Sequence, residues 1–178
     1  MNLNARLRTL RDKKQEFLLN SIAASLLIPM KWRRRIYKSC GIELDDRSGP
    51  LQWWSGCEIY GPQISGVNIR VQSDTYIGSS CTFYGGASIS IGKRCNIGKE
   101  VAFCTSTHEI SGPQRRAGAP RAEPITVGDG CWIGTRATIL PGVNIGEGCI
   151  IAAGALVNKD CEPNGLFAGV PAKRIRDL

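Results

Sequence analysis

A period of six residues governs most of the chain. Val127, Ile133, Ile139, Ile145, Ile151 and Val157 recur at that interval, preceded two positions earlier by Ile125, Cys131, Ala137, Val143, Cys149 and Ala155. One earlier block sets Val71, Ile77 and Phe83 behind Ile69, Thr75 and Cys81. Another sets Ile91, Ile97 and Phe103 behind Ile89, Cys95 and Val101, which makes twelve hexads. On an α-helix six residues turn through about 600°, so successive repeats would point about 240° apart and build no common face. In a strand the side-chain period is two, and an interval of six always returns to one face. The pattern therefore predicts short strands with two inward residues each, joined by tight corners and stacked as coils that share their backbone hydrogen bonds. Gly follows the large apolar residue at Gly78, Gly92, Gly98, Gly128, Gly134 and Gly146, half of the twelve hexads, as expected of corners with unusual dihedrals.

Two breaks interrupt the rhythm. The step from Phe83 to Ile91 is two residues too long, near Gly85 and Gly86. Between Phe103 and Ile125 the pattern gives way to CTSTHEISGPQRRAGAPRAEP, which predicts an excursion loop over 104–124 thrown out of the stack. The only histidine of the chain, His108, sits at the root of that loop. The expected organisation is an N-terminal helical and lead-in region (1–56), a repeat domain (57–163) and a short tail (164–178) beyond Pro163. Residues 2–19 are charged and helix-prone. Ile22–Tyr37 is apolar at its start and basic at its end, and a Gly/Pro/Trp-rich stretch follows with Gly49, Pro50, Trp53 and Trp54.

Eight cysteines in 178 residues raise the question of disulfides or metal. There is no C-x-x-C pair, and a single histidine gives a mixed zinc site poor raw material. Five of the eight (Cys81, Cys95, Cys131, Cys149 and Cys161) fall at the small apolar slot of the repeat, so they read as reduced fillers in a cytosolic protein that needs no metal. The net charge of +8 suits an anionic partner such as a phosphate-bearing ligand or an acidic membrane face. Nucleic acid is disfavoured, because the basic residues lack interleaved aromatic platforms. The apolar stretch Phe17–Met30 is shorter than the roughly 20 residues a membrane span needs.

From about Ile91 to Arg176 the sequence resembles the hexapeptide-repeat acyltransferases, closest to the galactoside and maltose O-acetyltransferases and related polysaccharide-modifying enzymes. The segments that carry the resemblance are STHEI, then PITVGDGCWIGTRATILPGVNIGEGCIIAAGALVNKD, then AGVPAKRIRDL. The resemblance implies an all-β main domain, a left-handed parallel β-helix of triangular section with an N-terminal α-helical region and a short C-terminal tail. That hand runs against the usual right-handed crossover. It also implies homotrimers with sites between neighbouring subunits, acetyl-CoA as co-substrate, and a hydroxyl-bearing saccharide as acceptor, a polysaccharide or a lipid-linked sugar.

In the same way His108 is implied as the general base. The chemistry agrees, because a hydroxyl attacking a thioester must lose its proton and an imidazole titrates in the right range. Thr135, Ala153, Asn158, Lys159, Lys173 and Arg176 match positions that contact coenzyme A, the last three cations among them facing phosphates. Asn158 and Lys173 depart from the Thr and Arg common in relatives. Trp132 lies between two inward positions, so it points outward and joins the cofactor-binding candidates as a ligand or subunit contact. Near CTFYGGAS, where sugar acetyltransferases tend to carry an Asn, Gly85 and Gly86 stand instead.

Several alternatives stay open at this level. Cys104 could act as a thiol nucleophile through an acyl-enzyme. Glu109 could orient His108, although neighbours in extended chain point to opposite faces. Transfer to the amine of an amino sugar, or a non-catalytic assembly scaffold, would use the same fold. A carbonic anhydrase would need several histidines. The segment Ile22–Tyr37 reads either as a cap on the open end of the β-helix or as a peripheral contact with the inner face of a membrane, with Leu26, Leu27, Ile28, Met30 and Trp32 inserted and Arg33–Arg35 on anionic headgroups.

Overall fold

A computed structural model describes residues 3–45, 52–53, 56–60 and 68–178. The hexads form short strands that wind as coils of a three-sided prism, each coil giving one strand to each side. The first coil holds β1 (Glu43–Leu44), β2 (Gln52–Trp53) and β3 (Glu58–Tyr60). The second holds β4 (Ile69–Val71), β5 (Tyr76–Ile77) and β6 (Thr82–Tyr84), and the third β7 (Ile89–Ile91), β8 (Asn96–Ile97) and β9 (Ala102–Cys104). A hairpin of β10 (Ser106–Ile110) and β11 (Ala117–Ala122) then leaves the stack. The fourth coil holds β12 (Ile125–Val127), β13 (Trp132–Ile133) and β14 (Thr138–Ile139), and the fifth β15 (Asn144–Ile145), β16 (Ile150–Ile151) and β17 (Leu156–Val157). Last come β18 (Gly165–Gly169) and β19 (Ala172–Asp177). The three sheets run β1-β4-β7-β12-β15, β19-β18-β16-β13-β8-β5-β2 and β17-β14-β9-β6-β3, and all their pairings are parallel except β18 with β19.

Inside the prism the large slot is filled by Ile77, Phe83, Ile97, Phe103, Ile133, Ile139, Ile145 and Ile151, all without exposure. Each contributes on the order of 1.5–3 kcal/mol by leaving water. Phe83 and Phe103 stack at 5.2 Å between centroids on adjacent coils, just below the point where the hairpin leaves. The small slot does more than fill space. Cys81 donates its S–H to the Gly98 carbonyl (3.2 Å), Cys95 to Gly128 (3.1 Å), Cys131 to Gly146 (3.1 Å), and Thr75 its hydroxyl to Gly92 (2.8 Å). Corner carbonyls of the next coil that would otherwise lie buried and unpaired are satisfied in this way.

Four particulars differ from the sequence-based expectation. The glycines after the large slot serve space rather than dihedral freedom. A Cβ on Gly98 would stand 2.6 Å from the Thr135 nitrogen, and one on Gly128 2.6 Å from the Glu147 nitrogen, because coils stack at strand spacing there. Left-handed φ occurs two residues later, at positions such as Ser80, Glu100 and Arg136. The stack also begins before the first hexad. Ile59, twelve residues before Val71, lies beside Phe83, and Leu44 lies beside Val71, hidden from a six-residue count by a longer corner. Cys57 thereby takes a small slot, its thiol on the Gly78 carbonyl at 3.3 Å. At the other end Pro163 does not end the stack, because β18 pairs with β16. The corner after Val157 is two residues short, so Cys161 stands over Ile145 and not at the small slot.

The N-terminal region is helical: α1 (Leu3–Phe17), a π-helical turn (Leu18–Ala23) and α2 (Met30–Ser39). It caps the prism. Ile59 lies on β3, the edge strand of its sheet, and Asn20 donates its amide to the Ile59 carbonyl (2.9 Å) while accepting from the Ile59 N–H (2.8 Å). One side chain thus imitates the missing neighbour strand. Gly49, Pro50 and Trp54 lie outside the described residues.

Candidate functional site

The excursion is an ordered antiparallel ribbon, in which Ser106 faces Ala122, Thr107 faces Arg121 and His108 faces Pro120. Two hydroxyls weld its root to the stack. Buried Thr105 takes the Ala87 N–H on its Oγ1 (3.2 Å) and donates to the Tyr84 carbonyl (3.3 Å), while its own carbonyl accepts from Glu123 (2.9 Å). Ser106 Oγ accepts from the Gly86 N–H at 3.1 Å. The two extra residues near Gly85 are therefore a bulge held by Thr105 and Ser106. Gly85 has φ 138°, and a Cβ there would collide with Thr105 Oγ1. The sequence reading missed both hydroxyl residues. Their signal was the polar run Thr105–Thr107, which closes on an insertion 20 residues upstream only in three dimensions.

His108 is exposed, and its Nδ1 lies 3.0 Å from the Gly118 carbonyl oxygen. A carbonyl can only accept, so this bond requires a proton on Nδ1, and in the neutral ring that leaves the lone pair on Nε2. The neutral imidazole is thus held with Nε2 as its acceptor nitrogen and a backbone carbonyl as its orienting partner. Glu109 does not fill that role; its carboxylate pairs with Arg121 at 3.4 Å. Cys104 faces Tyr84 across β6 and β9, half-buried, and that burial raises its thiol pKa. A thiolate is disfavoured there, which weakens the covalent alternative.

The remaining candidates separate into two groups. Trp132 is 57% exposed on the outer face of its sheet. Pairing runs from it to Ile150, from Ile150 to Leu166 and from Leu166 to Arg176, so Trp132 and Arg176 share one cross-strand row. Lys173, also exposed, lies on the same edge strand opposite Ala168. Thr135 and Ala153 stack at the corner beside that face, where the Gly154 N–H donates to the Thr135 carbonyl at 2.9 Å. Asn158 and Lys159 are exposed on the other corner, the shortened one after β17, with Asp160 accepting from the Asn144 N–H at 2.8 Å. A single chain does not bring them together with the Trp132 face.

Arg174 is a tail cation of another kind. Its guanidinium donates to the carbonyls of Glu162, Pro163 and Asn164 and pairs with Asp177, fastening the last hairpin. A cavity of about 680 Å³ beside α2, bordered by Lys38, Glu43, Asp45, Arg70 and Gln72, contains none of the candidate residues. Among the described residues no group of three or more His, Cys, Asp or Glu side chains could hold a metal ion.

Comparison with known proteins places this geometry. The profile of the bacterial transferase hexapeptide family (six repeats) matches residues 124–159. A protein of Schizosaccharomyces pombe that bears an acetyltransferase name is 42% identical over 113 residues, 64% of this chain and 55% of that protein. The galactoside O-acetyltransferase of Escherichia coli is 34% identical over 113 residues, 64% of this chain and 56% of the enzyme. The chain thus spans little more than half the length of these curated relatives. Among solved structures, a hexapeptide-repeat acetyltransferase of Vibrio cholerae complexed with acetyl-CoA superposes with a TM-score of 0.76 at 27% identity, over 98% of this chain and 88% of that one. A galactoside acetyltransferase complexed with coenzyme A gives 0.60 at 26% identity, over 99% and 84%. Repeat, coil topology and superposition agree: the chain folds as a left-handed parallel β-helix like that of these hexapeptide-repeat acetyltransferases, and residues 124–159 match the profile of that repeat.

Proposed function

We propose that the protein is an acetyl-CoA-dependent O-acetyltransferase that modifies a hydroxyl of a saccharide, with His108 as general base. The observation that carries this reading is the bond from His108 Nδ1 to the Gly118 carbonyl, which leaves Nε2 free on an exposed ribbon. Nε2 accepts the acceptor's hydroxyl proton as that oxygen attacks the thioester carbonyl. The tetrahedral oxyanion then collapses, the C–S bond breaks, and the departing sulfur takes the proton from the imidazolium, giving ester and free CoA. No enzyme thiol is needed, in keeping with the raised pKa of Cys104.

The division of the cofactor candidates between two corners of the prism supports a site completed between copies of the chain. Trp132 on its outer face and Ile110 at the ribbon's far end, 90% exposed, are large apolar groups that a neighbouring subunit would cover. In such an assembly Lys159, Lys173 and Arg176 meet the phosphates of coenzyme A, and small Ala153 with Thr135 lets the pantetheine arm lie against the corner.

The test is CoA release from acetyl-CoA, followed with a thiol reagent, across a panel of sugars, amino sugars and lipid-linked saccharides. Turnover should require a hydroxyl-bearing saccharide, and His108→Ala should lower kcat by about 10²–10⁴-fold, the usual worth of a general base. No release with any acceptor, or a His108→Ala enzyme within a few-fold of wild type, refutes the assignment. Preference for amines over hydroxyls moves the reaction to N-acyl transfer.

A further inference from the structure

The turn between the π-helical segment and α2 presents Leu26 and Leu27 side by side to solvent, 86% and 89% exposed. This tip is built, not frayed. Arg33 is buried beneath it and donates to the carbonyls of Ala23 (2.6 Å), Ser25 (2.8 Å) and Ile28 (2.9 Å), while Ser25 Oγ accepts from the Leu27 N–H at 3.2 Å. An arginine spending its donors to hold two leucines out in water points to an occupant that takes them. It also removes Arg33 from the cations expected to face headgroups, and Ile28 and Met30 are only partly exposed.

The flanking charge identifies the occupant. Helix α2 buries Arg33 and Tyr37 and packs Ile36 on the core, so helical periodicity turns Lys31, Arg35 and Lys38 to the opposite side and leaves Arg34, partly exposed, on the flank. Trp32, half-exposed, lies on the flank with the Arg35 guanidinium 4.8 Å from its ring centroid. From Phe17 to Ile42 there is no Asp or Glu. Two projecting leucines, an amphipathic indole and a cationic face carried by Lys31 and Arg35 match the two layers of an anionic lipid surface, apolar beneath and negative above. Among the described residues no helix is long and apolar enough to cross a membrane. We infer that the Leu26–Leu27 tip and the outer face of α2 dock the protein peripherally on an anionic bilayer, independently of the reaction assigned above.

Flotation of the full chain with vesicles tests this, using 30% phosphatidylglycerol in phosphatidylcholine against phosphatidylcholine alone. Binding should require the anionic lipid and weaken steeply between low and high salt. Leu26→Ser/Leu27→Ser should lower it at least about tenfold, and each of Lys31→Gln and Arg35→Gln about fivefold. All variants should keep the wild-type melting curve, since these side chains face solvent. Absence of binding to the anionic vesicles overturns the proposal, as does binding that the double serine variant leaves intact. Two further outcomes overturn it: a change of oligomeric state in that variant, which makes the tip a subunit contact, and equally tight salt-sensitive binding to duplex DNA.

Discussion

Gly118 offers a sensitive test of how His108 is held, because it can be perturbed without touching the ring. A Cβ at Gly118 would lie 2.9 Å from Ser111 Cβ and 3.0 Å from the Glu109 carbonyl oxygen. Carbon atoms ordinarily approach to about 3.5–4.0 Å. Gly118→Ala therefore forces the two arms of the ribbon apart by roughly half an ångström, and the Gly118 carbonyl moves with its arm. The 3.0 Å bond to Nδ1 stretches toward the limit at which a hydrogen bond is lost. A bond of this kind is worth about 0.5–1.5 kcal/mol net, a factor of about two to twelve in the population of correctly oriented tautomer. We expect kcat to fall by that factor with KM for acetyl-CoA unchanged, measured by initial rates of CoA release. Gly112→Ala is the control, since a Cβ there meets nothing within 4 Å. Equal losses in both variants, an unchanged kcat in Gly118→Ala, or a loss confined to KM would refute the orienting role of the carbonyl.

Three other outcomes follow from the same geometry. Cys104→Ala should retain most activity, and alkylation of Cys104 near neutral pH should be slow, because burial disfavours its thiolate; complete loss of turnover would restore a covalent intermediate. Lys173→Ala should raise KM for acetyl-CoA by about two- to fivefold, as expected of an exposed cation, with kcat unchanged and the difference fading at high salt. Phe103→Ala removes a fully buried ring stacked on Phe83 and should cost about 3–5 kcal/mol in denaturant unfolding; a cost below about 1 kcal/mol would mean that the neighbouring coils close the cavity.

The six-residue period was enough to determine the coil architecture from Ile69 to Val157, because spacing by six selects one face only of an extended chain. It also singled out the interruption that carries His108. Beyond that, the outcome depended on partners distant in sequence. Leu44 joins the stack through an irregular corner that no fixed interval detects, and Cys161 leaves its slot because one corner is two residues short. Arg33 looked like a surface cation among its neighbours Arg34 and Arg35, yet three carbonyls of the preceding turn bury it. The tautomer of His108 depends on a carbonyl ten residues away that lies within reach only once the ribbon pairs. Periodicity is a local property and survives in the unfolded chain. A hydrogen bond between distant backbone groups exists only after the coils have closed, so the chemistry of the site was decided by the tertiary structure.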